Sequence, residues 1–373
     1  MFEFTLNGRS YSQQWLMDFP KLHVRENLTP YERHTLQFCH HWLAGQACFR
    51  IKTSGSTGNP KIITLHREHM IASARLTGYT LGLQEGDGAL VCLSTEYIAG
   101  MMMLVRGFEL GLTLTVMTPQ RNPLVSFSDQ FQFDFTALAP VQLQDIIATT
   151  PEKTGILDNM RAILVGGAPV TEALLERINR LVAPVYHTYG MTETASHIAL
   201  KRLNGDSASD SFMPLNGVQL AVNEQSCLTV NGPMTGYKPL STHDRVDLQP
   251  DGSFRWLGRS DNVINSAGVK VQAEKVEQAL ARALQNYRGG LLRDRRFFVG
   301  PLAHPQLGQQ VIAVIEGEPM SRSEQAELRD ELLADDRLGK YEIPRSFHFR
   351  SLLLETPTGK IDRRLIYERW PSE

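Results

Sequence analysis

Thr53-Ser54-Gly55-Ser56-Thr57-Gly58-Asn59-Pro60-Lys61 packs two glycines, four hydroxyl side chains and a lysine into nine residues. Glycine lets backbone N–H groups close on an anion, the hydroxyls donate further hydrogen bonds, and the lysine supplies charge, so the stretch reads as a phosphate cradle. Pro60 stands where a Walker loop needs glycine ahead of its lysine, which excludes that motif. On composition alone, a flexible Gly/Ser/Thr turn between two strands stays open.

The surroundings narrow the choice. Thr29-Pro30 reads as an N-cap and first helical residue, with Gly45 as the stop, and a strand then leads into Thr53. Beyond the loop, β-rich runs at 89–93, 113–117, 136–138 and 162–165 alternate with helical segments around 68–81, 98–110, 141–148 and 172–181. Such alternation predicts a layered α/β domain on a largely parallel sheet. From 214 to 257 the pattern changes to short strands with Asn-Gly, Gly-Pro and Asp-Gly turns, a β-rich subdomain. After Asp261 come a strand-like run at 263–271, a helix from Ala273, an apolar run at 311–315 and a helix opened by Ser321 with Glu324 as its capping box. The expected organisation is a large N-terminal domain over 1–258, with the β-rich subdomain at about 214–258, and a small, mobile α+β domain over 259–373.

Composition excludes several classes. The 373 residues suit two or three packed units, and 42% hydrophobic with 21% charged residues is a globular balance. A formal net charge of -2 without a long basic run leaves no footprint for nucleic acid. The start, Met1-Phe2-Glu3-Phe4-Thr5-Leu6-Asn7-Gly8, lacks the regions of a signal peptide, and Arg106, Glu109 and three glycines interrupt the most apolar stretch, 98–117. That stretch reads as a buried helix, a stop at Gly111 and a strand, so no membrane span is expected. The four cysteines have no paired zinc spacing and fit a reducing, cytoplasmic setting; His40 and His41, beside Cys39, point different ways on a helix and do not make a metal site. Nothing in the pattern fixes an oligomeric state, and a homo-oligomer stays open.

Five further motifs follow the loop in order: Gly166-Gly167-Ala168-Pro169, Tyr189-Gly190-Met191-Thr192-Glu193-Thr194, Thr242-His243-Asp244, Gly258-Arg259-Ser260-Asp261 and Pro357-Thr358-Gly359-Lys360-Ile361-Asp362-Arg363-Arg364. Together with the loop they resemble the adenylate-forming superfamily of acyl-CoA synthetases, luciferases and peptide-synthetase adenylation domains, over residues 52 to 364. The resemblance implies an ATP-dependent acid–CoA ligase that makes an acyl-adenylate and passes the acyl group to coenzyme A.

It also implies roles. Thr53, Ser54, Gly55, Ser56, Thr57, Gly58 and Lys61 would cradle phosphate, and Gly167 and Ala168 would line the adenine side with Tyr189 and Gly190. Thr192 would bind the α-phosphate and Glu193 would carry Mg²⁺. Asp244 fits the ribose hydroxyls and Arg259 ribose or phosphate, with His243 standing where the family has glycine, a change that bears on the tightness of a turn there. Lys360 would bridge the attacking carboxylate and the α-phosphate, two anions that otherwise repel each other. Asp261 matches the hinge about which the small domain turns between half-reactions, and Gly268 and Lys270 the loop lining the pantetheine path.

The chain departs from the family in two respects. Only 52 residues precede the phosphate loop, and Glu96-Tyr97 stands where a Phe-His pair is common. The segment 97–106, the 189–197 region and the short length are most similar to compact o-succinylbenzoate–CoA ligases of menaquinone biosynthesis. Such an acid carries a second carboxylate, for which Arg106, Ser196 and His197, with Tyr97 at the gate, are the candidates. For Arg106 a helix-face arginine covering apolar neighbours with its stem weighs equally. Loading of a carrier protein, or nucleotide binding without catalysis, are the other readings; Lys360, Glu193, Asp244 and Asp261, all present, speak against the second.

Overall fold

A computed structural model of the chain describes residues 4–23, 27–52, 61–293, 295–356 and 361–370. A nine-stranded sheet runs in the order Met213–Pro214, His197–Arg202, Val185–Gly190, Ala162–Val165, Phe135–Leu138, Gly88–Val91, Thr113–Val116, Phe4–Leu6 and Arg9–Ser10. From Val185–Gly190 to Phe4–Leu6 every neighbouring pair is parallel, and only the edges pair antiparallel. The cause is visible in Ala162-Ile163-Leu164-Val165, apolar at every position because a parallel strand is covered on both faces.

Each face has its own core. Ala162 and Leu164 pack with the helices Pro30–Leu43, Arg67–Leu81 and Ile98–Leu110 through Trp42, Met70 and Met102. Ile163 and Val165 pack on the other side with Leu143, Ile146 and Ile178 of the helices Pro140–Thr149 and Glu172–Ile178. The helix predicted after Thr29 is present with a full capping box, Thr29 and Glu32 satisfying each other's backbone N–H. Gly111 ends Ile98–Leu110 in the left-handed region, at φ 69. The helix expected over 172–181 stops at Ile178.

Gln219–Val222, Cys227–Asn231, Leu240–Leu248 and Phe254–Arg259 form a four-stranded antiparallel sheet. Its core includes Leu228, Val230 and Phe254 and closes on Ile198 and Ala199 of the large sheet. Beyond it, Val263–Ser266, Val269–Gln272, Phe297–His304, Gly308–Glu316 and Ser346–Arg350 form a third sheet beneath the helices Ala273–Asn286 and Arg322–Ala334. The strand expected over 263–271 is a hairpin, reversing at Ala267 and Gly268, which sit at φ 53 and 82. Among the described residues no helix is long and apolar enough to cross a membrane, and all four cysteines are free.

The strand Val185–Gly190, which carries Tyr189, is anchored by one buried amide. Asn204, 1% exposed, accepts from Val185 N at 3.0 Å and donates to the carbonyls of Leu181 and Ala183 at 2.8 and 2.9 Å. Asn204→Ala would strand these groups away from water and should cost roughly 2–4 kcal/mol in urea unfolding. A loss below about 0.5 kcal/mol, the size of an ordinary surface change, would mean the amide is not an anchor.

Candidate active site

The nine-stranded sheet and the four-stranded antiparallel sheet meet at Tyr189. Its hydroxyl donates to Asp244 Oδ2 at 2.7 Å, and its ring lies edge-on to Phe254 at 5.0 Å between centroids. Burial, and then the Asp244 charge, push the phenol above its ordinary value. Asp244 Oδ1 accepts from Trp256 Nε1 at 3.2 Å and lies 3.7 Å from Arg259 Nη1. Arg259 in turn grips Asp261 with two hydrogen bonds of 2.8 and 2.6 Å. Burial opposes ionisation of Asp261, but the hydrogen bonds and charge of Arg259 outweigh it and hold the carboxyl below the usual range. The Thr242-His243-Asp244 segment is the middle of the strand Leu240–Leu248, not a turn. Strand alternation buries Thr242 and Asp244 and exposes His243, so a side chain in glycine's place meets no obstacle.

Six residues connect Tyr189-Gly190 to His197. Thr192–Thr194 is a short 3₁₀ turn, pinned by the Thr194 hydroxyl, which accepts from Met191 N at 3.1 Å and lies 2.7 Å from Ser196 O. Gly190 is required: a Cβ there would collide with the Ser196 carbonyl and the His197 Cα. The Glu193 carboxylate is exposed, and among the described residues it accepts no hydrogen bond and pairs with no cation. Thr192 is half-buried beside it.

Arg106, Ser196 and His197 come together. Arg106 sits mid-way along Ile98–Leu110, only 2% exposed, which rules out a helix-face arginine with its head in water. Its Nη2 donates to Ser196 Oγ at 2.6 Å and lies 3.5 Å from His197 Nδ1; its Nη1 faces Met103 Sδ at 3.6 Å. Nε has no partner, and no carboxylate among the described residues pairs with the guanidinium. Burial alone pulls its pKa down to about 9. His197 is held well below the ordinary imidazole value, by burial and then by the charge of Arg106. A buried, partly unpartnered cation of this kind has a donor to spare for an anion.

The remaining candidates lie apart. Gly167, at φ 85, and Ala168 follow the strand Ala162–Val165, near half-buried His187, whose pKa burial lowers to about 4 with help from Lys201. Tyr97 is the N-cap of the Arg106 helix, about 13 Å along its axis from Arg106 by helical rise, and makes no hydrogen bond to the cluster. Gly268 and Lys270 are exposed on the 263–272 hairpin, and Lys61 is exposed just before the strand Ile62–His66. Thr53, Ser54, Gly55, Ser56, Thr57, Gly58 and Lys360 lie outside the described residues. Three residues at the site escaped the sequence reading: Trp256, Thr77, whose Oγ1 is 3.1 Å from His197 Nε2, and His187. None belongs to a recognisable spacing.

The family model of AMP-binding enzymes matches residues 21–232. A 2-succinylbenzoate–CoA ligase of Bacillus licheniformis is 28% identical over 83% of this chain and 68% of its own length. A probable 2-succinylbenzoate–CoA ligase of Mycobacterium tuberculosis is 29% identical over 87% of this chain and 84% of its own. Among solved structures, an acyl-CoA synthetase (AMP-forming)/AMP-acid ligase II-like protein from Dyadobacter fermentans is 40% identical, with a TM-score of 0.61, over 96% of this chain and 98% of its own.

Gly190→Ala should push Ser196 and His197 away from the strand and cost roughly 1–3 kcal/mol by overpacking, read as a lower urea midpoint at unchanged m-value. An unchanged midpoint would show that the 191–196 loop yields freely and that Gly190 is not constrained.

Proposed function

The chain belongs to the AMP-binding enzyme family, and we propose that it is an AMP-forming acid–CoA ligase whose acid is o-succinylbenzoate. In the first half-reaction a carboxylate oxygen attacks the α-phosphorus of ATP, forming the acyl-adenylate and releasing pyrophosphate. In the second, the coenzyme A thiolate attacks the acyl carbon, forming the thioester and releasing AMP.

The residues fit these groups. Asp244, its plane fixed by Tyr189 and Trp256, retains acceptor capacity for two ribose hydroxyls. Arg259, between Asp244 and Asp261, can reach ribose or phosphate while staying tied to the hinge residue. Among the described residues no three His, Cys, Asp or Glu side chains cluster, so Mg²⁺ would rest on the open carboxylate of Glu193 and on phosphate oxygens, a donor set that suits it. When bound, that ion screens phosphate charge. Thr192 would donate to the α-phosphate, Lys360 would stand between the two reacting anions, and Gly268 and Lys270 would enter with the small domain as it turns about Asp261.

The observation that carries the substrate is Arg106, a buried guanidinium with an unpartnered Nε. A monocarboxylate would leave it uncompensated, whereas the ring carboxylate of o-succinylbenzoate would neutralise it. The names of the relatives from Bacillus licheniformis and Mycobacterium tuberculosis support the same acid.

Pyrophosphate release with a panel of acids, with and without coenzyme A, tests the activity. Arg106→Ala should depress kcat/KM for o-succinylbenzoate roughly tenfold to a hundredfold more than for benzoylpropanoate, which lacks the ring carboxylate. Equal losses would make Arg106 structural, and no activity on o-succinylbenzoate in the parent enzyme would remove this substrate. Lys360→Ala should lower adenylation at least ~10²-fold while sparing thioester formation from supplied acyl-adenylate. Equal loss in both half-reactions would count against a lysine that serves the first alone.

A further inference from the structure

Thr77 stands 120 residues from His197 in sequence, fully buried on the helix Arg67–Leu81, and touches none of the motif residues except through that imidazole. Its one hydroxyl proton is committed to the Ser73 carbonyl, one turn back on the same helix, at 2.9 Å. Toward His197 Nε2, 3.1 Å away, Oγ1 can therefore act only as acceptor. The imidazole proton must then sit on Nε2, and a neutral ring, having one N–H, keeps Nδ1 as a bare lone pair.

That lone pair faces two donors, Arg106 Nη2 at 3.5 Å and Ser196 Oγ at 3.3 Å. Ser196 already accepts from Arg106 Nη2 at 2.6 Å, which leaves its own proton for Nδ1. Every proton in the row thus has a direction, from Arg106 and Ser196 into Nδ1 and from Nε2 through Thr77 to Ser73. The opposite tautomer would set an N–H at Nδ1 against the guanidinium and leave Nε2 with an acceptor that offers nothing in return.

Resting on the reading of Arg106 as the partner of a second carboxylate, we propose that Thr77 is a positioning residue for acyl selection. By fixing the Nε2–H tautomer of His197, it keeps Nδ1 an acceptor and holds the Arg106 guanidinium with Nη2 engaged and Nε open to a dianionic acid. Thr77 touches no substrate; it acts through His197.

The test compares Thr77→Val, which keeps the branched shape and removes the hydroxyl, with Thr77→Ser, which keeps the hydroxyl. The readout is the ratio of kcat/KM for o-succinylbenzoate to that for benzoylpropanoate, with Arg106→Ala as control. Thr77→Val should lower the ratio about tenfold, the scale of one hydrogen bond to a charged group, and Thr77→Ser should restore it to within about twofold. A merely structural role would lower both substrates alike and leave the ratio in place. If Thr77→Val leaves the ratio unchanged while Arg106→Ala collapses it, the proposal is overturned and the substrate reading stands. If Arg106→Ala also leaves it unchanged, both fall. Should Thr77→Val fail to fold, nitrogen-15 imidazole spectra of the parent enzyme decide, with the His197 signal identified by its loss in His197→Gln. A proton on Nε2 supports the proposal, and one on Nδ1 overturns it.

Discussion

The hydrogen bond from Tyr189 to Asp244 joins the nine-stranded sheet to the four-stranded one. Tyr189 ends a strand of the large sheet, Asp244 lies mid-strand in the antiparallel one, and 55 residues of chain separate them. Phe212 and Phe254, stacked with centroids 5.5 Å apart, seal the apolar side of this junction. The polar side continues through Arg259 to Asp261, just ahead of the 263–272 hairpin. A charge-assisted chain of this kind resists sliding of one sheet over the other, because Asp244 is held by donors from strands of both sheets. It also leaves Arg259 shared between Asp244 and Asp261.

The second cost in the fold is Arg106. A guanidinium removed from water without a counter-charge is expensive, by roughly several kcal/mol even after relaxation, and its lowered pKa is the same penalty seen through proton binding. Ser196, His197 and the Met103 sulfur offset part of it with neutral contacts. None of them is a carboxylate, and His197 is kept uncharged, so the local charge stays at plus one. A structure optimised for stability alone would place an apolar side chain on this helix, where Met101–Val105 are all buried. The arginine is retained against that preference, which is the pattern expected where stability is traded for binding.

The large sheet was legible because parallel strands and their helices carry strong local patterns: four-residue apolar runs such as 162–165, and helix ends marked by Thr29-Pro30, Gly111 and Ser321 with Glu324. The 263–271 run misled because Val, Ile and Val continue on both sides of the turn, and Ala267-Gly268 adopts positive φ without an Asn-Gly or Asp-Gly signal. At the site, the residues that belong to contiguous motifs could be named from sequence, and Arg106 came forward only as one of two equal alternatives. Its burial sets aside the helix-face alternative, and burial is a property of three helices and a sheet together. Thr77, Trp256 and Asn204 were not legible, because they act through hydrogen bonds that reach across 12 to 120 residues and no spacing records them.

A single irregularity explains how one short stretch serves both the Tyr189 and the Arg106 groups. In the pairing of His197–Arg202 with Val185–Gly190, His197 lies opposite Gly190 and Ala199 opposite Tyr189, so Ile198 and Ala199 together face one residue. Directly opposed residues share a face, and successive residues on the regular strand alternate. His197 therefore takes the face of Gly190, toward Thr77 and Arg106, while Ala199 takes the face of Tyr189, toward Phe212 and the antiparallel sheet. Without the bulge, His197 and Ala199, two apart, would point the same way, and the guanidinium would lose its imidazole acceptor. Gly190 makes the arrangement sterically feasible, since the Ser196 carbonyl occupies the space of any larger residue. The bulge and the glycine thus set the distance between the Tyr189 side and the Arg106 side by backbone geometry, which no rotamer change can relax.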